Sequence, residues 1–268
     1  MESLILILIF VFGTIIGSFL NVVICRHGTG RGLGGRSKCA VTGKTLHWYE
    51  LIPIISFLVQ GGRTRHGGMK ISWQYPLVEA GTGFMFMFVG IKFIPLLFIN
   101  PHAFLVNLLF WFAVFSFLVL IFVYDWYHQR IPDNFLYPLI GLGVAGLVWH
   151  RPLFDCLVIP NLWLIASGPI VALPVFLIWV ITRGRGMGFG DVLLLLPLGW
   201  LAGISSGFAG LLLAFWIGAL VGIIMLASGM KKMQSSIAFG PLLIIGFAIA
   251  FFCNIDMGNI ASFFGKLI

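Results

Sequence analysis

Only eight of the 268 residues are acidic, so each carboxylate can be judged on its own. Two of them stand where a carboxylate is costly. Asp125 closes a long apolar run after Val123-Tyr124, and Asp191 follows Gly186-Met187-Gly188-Phe189-Gly190 at the head of another. An ionisable group among lipid-facing helices costs about 3 kcal/mol or more unless it meets a wet cavity or a partner, so functional use is the first expectation. Two carboxylates from different helices suit a pair sharing one proton, because like charges a few ångströms apart cannot both ionise easily. The ionised member can take a proton from water while the neutral one donates to the carbonyl under attack. Such a pair titrates jointly, so neither residue is given a separate role. That is the chemistry of an aspartyl peptidase. The competing expectation is a small transporter or channel that uses Asp125 and Asp191 as ion or proton ligands.

The other acids have plainer readings. Glu2, Asp155 and Asp256 fall at outer helix ends or loops, and Glu50 reads as a solvated partner in a basic loop. Asp133 follows Ile131-Pro132 and precedes a helix, where N-capping is its natural work. Glu79 reads as a first-turn acid complementing a helix dipole, or as a group facing a polar cavity. Gly188 and Gly190 lack side chains, so backbone or a substrate strand can approach Asp191 closely.

The elements that must position these residues are membrane helices. The chain is 60% hydrophobic and 9% charged, against roughly 25% charged in a soluble domain. Apolar runs of about 20 residues match a bilayer crossing, and in lipid such runs must become helices. The punctuation predicts an all-α polytopic protein of about eight transmembrane helices, near 3–25, 76–98, 103–124, 134–150, 160–182, 191–204, 207–228 and 236–253. The sixth is short, with a kink or tilt expected at Pro197. The run from Leu4 to Cys25 lacks a basic leader and a small-residue cleavage site, so it reads as a retained helix. Three regions follow: a first helix over 1–25, a cytoplasmic loop domain over 26–75 and a seven-helix membrane domain over 76–268. Pro53-Ile54-Ile55 makes an apolar patch in the loop, too short to cross.

Charge sets the orientation. Eight of the sixteen basic residues lie between Arg26 and Lys70. With Arg130, Arg183, Arg185, Lys231 and Lys232 they fall in one set of alternate loops; the other set holds Arg151, and the tail holds Lys266. This bias puts the large loop and both aspartates near the cytoplasmic face and both termini outside. Lys92 lies near the outer end of the second helix, where it can snorkel. The expected partner of the basic loop is the lipid bilayer. Nothing interleaves its charges with a stacking platform, which argues against nucleic acid. The four cysteines, Cys25, Cys39, Cys156 and Cys253, are too scattered for a disulfide framework.

Several stretches in order resemble one family. Gly17-Ser18-Phe19-Leu20-Asn21-Val22-Val23-Ile24-Cys25-Arg26 resembles the signature ending the first helix of bacterial type IV prepilin peptidases, which are intramembrane aspartyl proteases with a Gly-x-Gly-Asp motif. Trp48-Tyr49-Glu50-Leu51-Ile52-Pro53 and Ile71-Ser72-Trp73-Gln74-Tyr75-Pro76-Leu77-Val78-Glu79 are similar to the family's cytoplasmic domain and its entry into the second helix. Asp125 with Ile131-Pro132-Asp133 resembles the first catalytic motif, Gly186 to Asp191 the second, and Phe239-Gly240-Pro241 the opening of the last helix.

The resemblance implies an inner-membrane endopeptidase that removes the leader of prepilins or pseudopilins after a glycine, with Asp125 and Asp191 catalytic. Gly188, Gly190, Glu79 and Asn21 would bind substrate or support the motifs. It also implies N-methylation of the new terminus with S-adenosylmethionine. Many members hold zinc between two Cys-x-x-Cys pairs. Here the pairs read Cys39-Ala40-Val41-Thr42 and Thr64-Arg65-His66-Gly67, so three of four thiolates are gone and no zinc is expected. His27, His47, His66 and Cys25 are irregularly spaced for a rebuilt site. Leu193 stands where the family usually has lysine. Gly28-Thr29-Gly30-Arg31-Gly32-Leu33-Gly34-Gly35 follows a membrane helix rather than a strand, so it reads as a linker, not a dinucleotide fingerprint. A basic loop would repel a prepilin's basic leader, so its charge is expected to face lipid headgroups.

Overall fold

The computed structural model describes residues 2–30, 32, 34–35, 45, 47–64, 68, 70–149, 162–228 and 238–265. Among these, the regular elements are helices, and Arg63 and Lys70 form an isolated antiparallel bridge. Five helices are long and apolar enough to cross a membrane: α1 (Glu2–Arg26), α3 (Gln74–Ile99), α4 (Pro101–His128), α6 (Leu162–Thr182) and α7 (Phe189–Ala227). Counting the bent pair α8 (Gly240–Cys253) and α9 (Met257–Gly265) as one span makes six. The protein is all-helical and polytopic. It comprises two compact units, Met1–Leu120 and Ile121–Ile268.

In the first unit α1 and α3 pack antiparallel through small residues. A Cβ added at Gly13 would stand 2.8 Å from the Cα of Gly83, and one at Gly17 2.8 Å from the Cα of Glu79. Lipid supplies no hydrophobic drive between helices, so such backbone contact is what holds them. Phe112 of α4 stacks on Phe86 of α3 at 3.9 Å.

Between α1 and α3 the described chain forms a 3-10 turn, Trp48–Leu51, and the short α2, Ile55–Val59. The loop patch foreseen at Pro53-Ile54-Ile55 is the entry to α2. Glu50 is not solvated: it is 8% exposed, and its carboxylate accepts the His47 N–H at 2.8 Å. Its work is local, capping the turn that carries it.

In the second unit, α5 (Asp133–Trp149), α6, α7 and α8 surround the site. As a straight helix α7, with 39 residues, would run about 58 Å, near twice the hydrocarbon core. It is not straight. Gly203, at φ 77° and ψ 176°, breaks it, a conformation that glycine alone adopts freely. Beyond the break, a Cβ at Gly207 would lie 3.6 Å from the Cα of Gly199. Eight residues along a straight helix would separate them by about 12 Å. The chain therefore doubles back, and its two arms are the helices expected at 191–204 and 207–228.

The break in α7 falls at Gly203 and not at Pro197, which sits buried inside the first arm where the backbone angles stay helical. Ser167 Oγ of α6 donates to Gly199 O at 3.0 Å, and Trp200 Nε1 donates to Ile165 O at 2.9 Å. The last long helix begins at Gly240 rather than 236, and α9 was not foreseen. Asn254, at φ 51°, ends α8, and the Met257 N–H donates to Ser205 Oγ at 3.1 Å.

Candidate active site

Asp125 lies in the last turn of α4, and Asp191 is the third residue of α7. Both belong to the second unit and are nearly sealed, at 4% and 8% exposure. A carboxylate in the last turn faces the negative end of its own helix. The Gly240 N–H, at the positive end of α8, offsets this by donating to Asp125. Asp191 is held similarly by its own helix. Its carboxylate reaches back to the N–H of the N-cap, Gly188, while its N–H donates to Gly188 O at 3.2 Å. This is half of a capping box. Each carboxylate thus sits at a helix N-terminus, where a negative charge is tolerated.

The two acids lie within range of each other's charge. Ile131, which follows α4, lies against both helix starts: a Cβ at Gly190 would be 3.3 Å from Ile131 Cβ, and one at Gly240 3.4 Å from Ile131 Cδ1. Gln129, at φ 52°, turns the chain back after α4, with its N–H on Asp125 O at 2.8 Å. That turn brings Ile131 beside the acid it follows. The pair can hold one proton, polarise a carbonyl and activate water.

Comparison with known proteins identifies the family. Residues 11–93 match the Bacterial Peptidase A24 N-terminal domain and residues 112–225 the Type IV leader peptidase family. The prepilin leader peptidase/N-methyltransferase of Bacillus subtilis is 30% identical, covering 97% of this chain and 98% of its own. The chain belongs to the type IV leader peptidase family. Proteins of the same description from Xanthomonas campestris (29% identical, 91% and 90% covered) and Pseudomonas aeruginosa (30%, 89% and 87%) are similar along most of their length. No solved structure matches. Membership in this peptidase family makes the chain an enzyme and disfavours the transporter reading.

The remaining residues expected at the site divide by unit. Gly188 and Gly190 flank Asp191. Glu79 and Asn21 belong to the first unit, on the α1–α3 seam. Glu79 is not a first-turn acid, because α3 starts at Gln74, ahead of the start foreseen at Pro76. Its buried carboxylate accepts the Ile54 N–H at 2.7 Å and the Ser18 hydroxyl. Asn21, 1% exposed, donates through Nδ2 to Tyr75 O at 3.2 Å, and its Oδ1 accepts nothing among the described residues. Cys39, Cys156, Asp155, Arg65, His66, Arg151, Lys231, Lys232 and Lys266 lie outside the described residues. Among those described, no group of three or more His, Cys, Asp or Glu could hold a metal.

Sequence reasoning missed Gly240 and Ile131 as parts of the site, although both lie within its quoted motifs. For this family member, a Cβ at 240 would stand 2.6 Å from Asp125 Oδ2. Gly240→Ala is expected to leave the fold intact and push the carboxylate aside by about an ångström, lowering cleavage about 10²-fold. Initial-rate assays of the purified variant, with its melting point beside them, check this; an unchanged rate would remove Gly240 from the site.

Proposed function

We propose that this enzyme cleaves the leader from prepilins or pseudopilins with Asp125 and Asp191 as its catalytic pair. The observation that carries the proposal is two sealed carboxylates within range of each other's charge, each held at a helix N-terminus, with Ile131 against both Gly190 and Gly240. One aspartate, ionised, takes a proton from a water molecule as its oxygen bonds to the scissile carbonyl carbon. The other, protonated, donates to the carbonyl oxygen. Collapse of the tetrahedral intermediate breaks the C–N bond: the leaving amine takes up the proton held by the first aspartate, and a hydroxyl of the intermediate returns its proton to the second as the C=O re-forms. A glycine before the bond, as the resemblance implies, would weaken helix formation there and keep the strand accessible.

The topology we propose has eight crossings: α1, α3, α4, α5, α6, the two arms of α7, and α8. Lysine and arginine distribution supports an inner-membrane orientation with the aspartates near the cytoplasmic face and both termini outside. Residues 26–75 would form the cytoplasmic loop domain, and 76–268 the seven-helix peptidase domain.

N-methylation of the new terminus with S-adenosylmethionine is the second half of the proposal, and the description shared by the relatives supports it. In the described part of the glycine stretch, the Arg26 guanidinium donates to the carbonyls of Gly32 and Gly34, both at 2.9 Å, as suits a linker folded back on the end of α1.

The test is a synthetic prepilin incubated with the enzyme in proteoliposomes, with and without S-adenosylmethionine, and read by mass spectrometry. The expected products are a leader ending in glycine and, with the cofactor, a mature chain heavier by one methyl group. Intact substrate for every prepilin and pseudopilin tried would refute the cleavage reading; cleavage without the increment would refute methylation alone.

A further inference from the structure

We infer that residues 47–64 and 70–73 form an interfacial module whose exposed apolar face lies in the headgroup layer of the lipid bilayer. Its depth is fixed at two points. The Ile54 N–H is bonded to Glu79 at 2.7 Å, and Glu79 lies five residues into α3, about 7.5 Å along the helix from its start. Trp73 is the N-cap of α3, and its ring packs on Phe57, the buried residue of α2, at 4.9 Å. The module therefore sits alongside the first turns of a membrane helix instead of standing off in water.

Its outward face is apolar. Ile55, Leu58 and Val59, spaced to share one side of α2, are 57%, 67% and 69% exposed, and Trp48 and Trp73 are more than two-thirds exposed. In water, that cluster of large apolar groups would mark a surface needing a partner. Trp73 stands one turn before Leu77 of α3, itself 65% exposed, so the exposed apolar surface continues from the apolar helix onto the module. Tryptophan and tyrosine favour this layer because their rings are apolar and their N–H and O–H groups meet water. Arg63 and Lys70, paired at the isolated bridge and both exposed, supply the charge that anionic headgroups attract. The strained turn at Ile54, φ 61°, starts α2 where Glu79 holds it.

The test places a nitroxide at Leu58→Cys, in a chain whose native cysteines are serines, reconstituted in vesicles containing phosphatidylglycerol. Leu77→Cys gives the lipid reference and Thr29→Cys the aqueous one. The expected result at position 58 is a several-fold excess of collisions with oxygen over collisions with a water-soluble nickel chelate, close to the ratio at position 77. A ratio like that at position 29 would overturn the proposal, as would shielding from both reagents, which would mean that protein covers the face. If the serine background does not fold, brominated-lipid quenching of the otherwise native chain replaces it. Trp48→Phe and Trp73→Phe should each remove a quenched component, and unchanged quenching in both would equally overturn the proposal.

Discussion

Asp125→Asn and Asp191→Asn are each expected to lower prepilin cleavage roughly 10³-fold or more, and the double variant to be no worse than either single one. Asparagine keeps the shape of aspartate and can still accept the N–H of Gly240 or Gly188, so the surroundings of both positions should persist. What it cannot do is ionise or carry the shared proton. Proton transfer by a positioned group contributes about 10²–10⁴-fold, and members of a unit are not additive, since removing one idles the other. Single-turnover rates of the two single variants and the double variant, with matching melting points, are the measurement. Cleavage surviving either substitution would remove that aspartate from the reaction.

Gly246→Ala is expected to destabilise the protein by about 3 kcal/mol and to cost activity through the fold. A Cβ there would collide with the carbonyl oxygen of Gly210 and lie 2.8 Å from the Ala214 nitrogen, both on the second arm of α7. Those are backbone atoms and cannot swing aside, so α8 and α7 would have to separate; overpacking typically costs about 1–3 kcal/mol and sometimes more. Since α8 begins with Gly240, its displacement also moves the donor to Asp125. Gly222→Ala is the matched control, because open space surrounds that position, and a helical alanine there should add about 0.5–1 kcal/mol. Thermal unfolding in detergent separates the two. Equal melting points would mean that the α7–α8 contact is looser than its geometry implies.

How far the sequence could be read depends on the reach of the force involved. Helices α1, α3, α4 and α6 follow from apolar length, a local property, and their ends agree with expectation within a few residues. Asp125 and Asp191 stood out because acids are rare here, and their pairing was an expectation drawn from their lying on different helices at the same face. Gly240 carries no side chain, so its chemistry was invisible until its N–H was found on a carboxylate from another helix. Glu50 and Glu79 were misjudged because burial depends on what the loop folds against. At Pro197 the backbone angles stay helical, whereas Gly203 adopts a conformation that most residues resist, and the break falls there.

The reversal at Gly203 also bears on biogenesis. A single residue joins the arms of α7, which leaves no slack for one arm to enter the bilayer while the other waits outside. The first arm, short and carrying Asp191 near its start, would be a poor independent candidate for insertion. Joined this tightly to its apolar sequel, it is expected to enter as a hairpin, so that the apolar arm synthesised second fixes where the short arm bearing Asp191 comes to rest.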